Sequence, residues 1–231
     1  MINASFGPML LFTVVVSTIV PAGDAQRFRR SLRLSCTFAA CLWLVKIIEA
    51  AFGFDFSHFG IYPGSVNSLS GILLAALIHG SWSHLASNTT PVIVLGTALL
   101  YGYPRSAKIT LPLIYLGSGC GVWLFARETY HIGASGMTFG MMFFVFTIGS
   151  MRWDRRAIAL SMIVFFLYGG MIWGIFPQDP GISFENHFIG AAIGVALAAA
   201  LKNIDPAPPE KHYSWEDEEL NESDEPSDLD R

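Results

Sequence analysis

Apolar residues in this chain come in long blocks separated by short polar turns. The blocks run from Leu32 to Phe52, Ser83 to Leu100, Ala107 to Ala126, Ser135 to Ser150, Ala157 to Ile175 and Asn186 to Leu201. Each approaches the ~20 residues that a helix needs to cross hydrocarbon, so six membrane-spanning helices are predicted. Two further apolar pieces are too short to span. The stretch 6–20 is interrupted by Gly7 and Pro8, and no basic residues precede it as a signal peptide requires. Its state is left open; if it spans, the amino terminus moves outside and the six helices keep their orientation. Ile72 to Ile78 lies within the long connection Gly53 to Ser81, beside Asp55, Pro63 and Gly64. It is expected to lie at the interface or to insert partway.

Composition agrees with the block pattern. The 231 residues are 52% hydrophobic and 14% charged, with a mean hydropathy of +0.48, which excludes an ordinary soluble domain and implies an all-α polytopic membrane protein. The net charge of −4 conceals two parts: eleven acidic residues against Lys211 and Arg231 after residue 202, and a body of +5 before it. Residues 1–30 read as an amino-terminal segment ending in a basic flank, 31–203 as the six-helix membrane domain, and 204–231 as an acidic, disordered tail behind Pro206, Pro208 and Pro209. Arg27, Arg29, Arg30 and Arg33 mark the start of the first helix. Arg105 and Lys108, Arg152, Arg155 and Arg156, and Lys202 mark alternate turns, whereas the opposite connections hold only Arg127. This asymmetry puts both ends of the six-helix domain in the cytoplasm. Cys36, Cys41 and Cys120 lie in apolar segments and read as buried thiols.

Three polar positions fall at one depth. Helix four covers ~24 Å from Met151 back to Ser135, helix six ~22 Å from Lys202 to His187, and helix two ~25 Å from Tyr101 to His84, all a few ångströms short of crossing a ~30 Å core. Asn88 sits one turn below His84 on the same face. Polar side chains in a membrane face a bundle interior or a wet cavity, so their coincidence is informative. Gly190 and Gly194 on helix six, facing Gly136 and Gly140 on helix four, would let the two helices approach and bring His187 toward Ser135.

A serine hydroxyl needs a base, and His187 is suited to that task. No carboxylate shares its depth, and Glu185 should point elsewhere, so the expectation is a Ser135–His187 dyad. Asn88, His84 and the Ser135 backbone N–H are candidate oxyanion donors. A cavity open to the outer side would supply the water for hydrolysis.

His79-x4-His84-x3-Asn88, Gly133-Ala134-Ser135-Gly136 and His187-x2-Gly190-x3-Gly194, in this order, resemble the rhomboid family of intramembrane serine proteases from about Leu32 to Leu201. The resemblance implies a rhomboid-like bundle with a long, partly membrane-inserted first loop. It implies Ser135 as nucleophile, His187 as base, His84 and Asn88 on the oxyanion, and His79 as a structural histidine beside Gly133 and Gly136. It further implies that helix five and the loop Phe176 to Glu185 gate the substrate; Gly169 and Gly170 suit either a bend at the outer end of helix five or close helix packing. Phe139 stands where many members have a tyrosine packed on the histidine. The first loop lacks a Trp-Arg pair, and Asn186 replaces a small residue. The expected partners are transmembrane proteins with small or helix-destabilising residues near the cut, and membrane lipid. No nucleic acid, metal or cofactor is expected. The expected location is the plasma membrane, with the active site opening to the extracytoplasmic side. A non-catalytic membrane chaperone or quality-control adaptor of the same fold is the alternative, and a small-solute transporter is disfavoured by the off-centre polar groups.

Overall fold

The structure is a computed structural model that describes residues 22–177, 179 and 181–207. The apolar stretch 6–20 and the acidic tail beyond residue 207 lie outside the described residues. Among the described residues there are six helices of fourteen residues or more: α1 (Ala22–Phe52), α2 (Trp82–Gly102), α3 (Pro104–Phe125), α4 (Ser135–Arg152), α5 (Arg155–Tyr168) and α6 (Phe184–Leu201). Among the described residues no strand forms, and the one isolated bridge pairs Ile61 with His131. This is an all-α polytopic bundle. Among the described residues five segments are long and apolar enough to cross a membrane: α1, α2, α3, α6, and α5 with its 3-10 continuation Gly169–Ile175.

The remaining long helix, α4, is the middle of the bundle. Helices α2, α3, α5 and α6 all pack on it, and Gly136, Gly140, Phe144, Val145 and Ile148 are buried there. Its glycines and hydroxyls are tolerated because neighbours supply its surroundings, where a lipid-facing helix would need apolar side chains. Phe144 anchors the core with Leu95, Leu99, Met141 and Ile148.

Several boundaries differ from the sequence expectation. Helix α1 begins at Ala22, ten residues before Leu32, so the arginine cluster at 27–33 lies within the helix and not in a flank before it. Polarity sets where hydrocarbon begins, but the backbone ladder continues past that point. Helix α5 ends at Tyr168 and tightens into a 3-10 stretch from Gly169. The first loop stays compact, with a helical turn at Gly71–Leu74 packed on α3 and another at Ala75–Leu77 packed on α1 and α4. There Tyr115 Oη donates to the Leu73 carbonyl at 2.5 Å, and a Cβ on Gly119 would meet Ile72. Asp205 is only 4% exposed and belongs to the bundle, not to the tail. Its carboxylate accepts from the Arg105 and Ser106 N–H groups at 2.8 and 2.9 Å, satisfying the start of α3. The three cysteines are exposed on the protein surface, contrary to the expectation of buried thiols.

Candidate active site

Ser135 opens α4, and everything before it is tied down. The bridge joins Ile61 N–H to the His131 carbonyl (3.0 Å) and His131 N–H to the Ile61 carbonyl (2.8 Å). Gly133 N–H then donates to the Ala75 carbonyl at 2.8 Å, and Ala134 N–H reaches His79 Nε2 at 3.5 Å. Gly133 has φ +107°, and a Cβ there would lie 2.7 Å from His84 Cε1, so both conformation and space require glycine. His79 is 1% exposed, and its ring meets that of His84 edge-on at 5.0 Å. It sits in the loop before α2, so its five-residue separation from His84 never had to match a helical face. Burial pushes its pKa down to about 4.

His84 and Asn88 follow each other on α2, whose cap Ser81 accepts the His84 N–H at 3.0 Å. The Asn88 amide donates one hydrogen to the His84 carbonyl at 3.0 Å and keeps a second. Helix α6 supplies His187, capped by Ser183. A Cβ on Gly190 would collide with the Gly136 carbonyl, and one on Gly194 with the Gly140 carbonyl. These two helices therefore meet backbone to backbone, as the glycine spacing predicts.

The His187 ring is held twice. Phe139 stacks on it, with centroids 4.1 Å apart and planes 6° from parallel. Its Nδ1 lies 2.9 Å from the Gly174 carbonyl, which can only accept, so Nδ1 carries the hydrogen and Nε2 is left as the basic nitrogen. Gly174 is a site residue that sequence reading missed. It orients the imidazole as a carboxylate would in a triad, but a backbone carbonyl has no residue-type signature. Glu185 does point elsewhere: Arg127 Nε pairs with it at 3.4 Å.

One cavity of about 1150 Å³ is lined by Ser135, His187, His84, Asn88 and Phe139. Tyr168, Met171 and Thr138, none singled out from the sequence, also line it. The four polar positions from three helices thus share one space, while Gly136, Gly190 and Gly194 build the helix contact beneath and His79 and Gly133 hold the approach. Ser135 and His187 make no hydrogen bond to each other among the described residues.

The sequence matches the Rhomboid domain family model over residues 66–204. The chain belongs to the rhomboid family. An uncharacterized protein of Mycobacterium tuberculosis (strain ATCC 25618 / H37Rv) is 36% identical over 175 residues, covering 71% of this chain and 72% of its own length. An uncharacterized protein of Mycobacterium leprae (strain TN) is 33% identical over 178 residues, covering 71% of this chain and 69% of its own. Within the family this rhomboid has Phe139 stacked flat on the histidine, and Asn186 against Gly136, where a Cβ would collide with the amide.

Proposed function

We propose that this rhomboid is an intramembrane serine endopeptidase that hydrolyses peptide bonds in or beside transmembrane helices of other proteins, using Ser135 and His187. The observation that carries this reading is the shared cavity in which His187 presents Nε2 while Gly174 and Phe139 fix its ring. Nε2 takes the Ser135 proton as Oγ attacks the scissile carbonyl, then delivers it to the leaving amine. Water hydrolyses the acyl-enzyme with the same base. The free Asn88 hydrogen, His84 and the first N–H groups of α4 supply donors to the oxyanion, each worth about 10²–10³ in rate. A helical peptide bond is closed to attack, so substrates with small or helix-destabilising residues near the cut fit this site. The loop charges support six spans with both domain ends cytoplasmic and the cavity opening extracytoplasmically; the plasma membrane is the location that goes with this reading.

The test is cleavage of a panel of single-span substrates in proteoliposomes, with sites mapped by mass spectrometry. Ser135→Ala and His187→Ala should each abolish cleavage and fluorophosphonate labelling while the protein stays folded. Cleavage by the Ser135 variant removes the nucleophile assignment. Absence of labelling in the unaltered protein favours the adaptor reading.

A further inference from the structure

We propose that His131 is a positioning residue that straps the first turns of α4 and α6 together and thereby sets the separation of Ser135 from His187. This rests on the proteolytic reading. His131 is a loop residue, yet it is 3% exposed, and three loops meet on it. Its backbone bridges to Ile61 in the first loop. Its Nε2 lies 3.0 Å from the Arg127 carbonyl in its own loop, and its Nδ1 lies 2.6 Å from Ser183 Oγ at the start of α6.

The donors and acceptors of this cluster have one consistent assignment. A carbonyl only accepts, so Nε2 carries the hydrogen and Nδ1 is a bare acceptor. The Ser183 hydroxyl therefore donates to the ring, and its lone pair accepts the Asn186 N–H at 3.4 Å. Every polar atom of the strap is used, in a buried place where an unmade bond is costly.

The strap lies four residues before each proposed reacting side chain: His131 before Ser135, and Ser183 before His187. Both intervening stretches are stiff. Gly133 and Ala134 are bonded to Ala75 and His79, and His187 N–H donates to the Ser183 carbonyl at 3.3 Å. A shift at the strap therefore reaches both groups, and about 1 Å of misplacement can cost ~10²-fold in rate.

The charged groups nearby are Arg127 and Glu185. Their ion pair crosses the same gap, but the arginine side chain is 37% exposed, so it is the weaker tie. Burial lowers the His131 pKa and keeps the ring in the neutral form that the strap requires.

The experiment uses the full chain in proteoliposomes with a cleavable single-span substrate. His131→Ala should lower kcat ten- to a hundredfold with KM within twofold. His131→Asn, whose Oδ1 can accept the Ser183 hydroxyl, should recover most of the loss. The His131→Ala, Ser183→Ala double variant should lose no more than Ser183→Ala alone. An unchanged kcat, a loss confined to KM, or a double variant showing the product of the two single losses overturns the strap. If the unaltered protein neither cleaves nor labels with a fluorophosphonate, the proteolytic reading fails separately. The strap is then judged by hydrogen exchange: faster exchange of the Asn186 and His187 amides in His131→Ala supports it, and unchanged exchange overturns it.

Discussion

His187 has one nitrogen committed to a carbonyl and one ring face committed to a phenyl group, and what remains is available for chemistry. Both constraints pass through Gly174. A Cβ at that position would lie 2.8 Å from Phe139 Cζ and 3.4 Å from His187 Nδ1. Gly174→Ala should therefore push the stacked rings aside, loosen the bond to Nδ1 and lower kcat about tenfold or more, with little change in folding. Cleavage kinetics beside a thermal melt check this. At this scale the sequence was informative wherever function needs a residue type. Ser135, His187, His84 and Asn88 stood out because hydroxyl, imidazole and amide groups are expensive in a membrane. Gly174 contributes only a backbone oxygen, and His131 acts through a serine on another loop, so neither leaves a mark that depth or spacing can reveal.

Between elements, the contact of α4 with α6 matters most, because it carries one proposed reacting group on each side. Gly190 lies on Gly136 and Gly194 on Gly140 with no room for a methyl group. Gly190→Leu should separate the helices at the level of His187, costing about 1–3 kcal/mol in overpacking and removing activity. Gly23→Ala, at a helical position with open space around it, is the control that should keep activity and should not lower the melt. A melt and a fluorophosphonate labelling assay on both variants decide the matter. The helix contact was legible because small residues four apart announce close approach. The helix ends were less so. The start of α1 was placed ten residues late, because a window that follows hydropathy stops at the first arginines while the hydrogen-bond ladder does not. The change to 3-10 geometry at Gly169 coincides with the glycine pair that suggested a bend.

Across the whole molecule, the two ends of the bundle are fastened differently. At the Arg152 end the fastening is ionic: Asp205 caps α3, Arg152 reaches the Asp205 carbonyl, and Asp154 both accepts from Arg152 at 2.8 Å and caps α5. Asp205→Ala leaves the buried Ser106 N–H and the partly buried Arg105 N–H without their partner and should cost about 1–3 kcal/mol in a thermal or denaturant melt. At the Ser135 end two buried neutral histidines, His79 and His131, join the Arg127–Glu185 ion pair in the fastening, which makes stability there depend on pH. His79 is held near pKa 4 by burial, and burial lowers His131 as well, against an unfolded value of about 6.5. Between those values the unfolded chain binds more protons than the folded one. Stability is therefore complete above about pH 6.5, falls as the pH drops toward 4, and stops falling from this cause below the folded pKa. His79 alone accounts for about 3 kcal/mol over that window, and His131 adds to it with the same sign. Carboxylates held below their ordinary value, such as Asp55, lose their contribution only under about pH 4, so the two classes separate on the pH axis. Melts in detergent should thus show a midpoint that is flat from pH 8 to 7 and declines steadily from pH 6 to 4. His79→Asn and His131→Asn should each flatten the decline, and a slope that survives both substitutions would assign it to other groups.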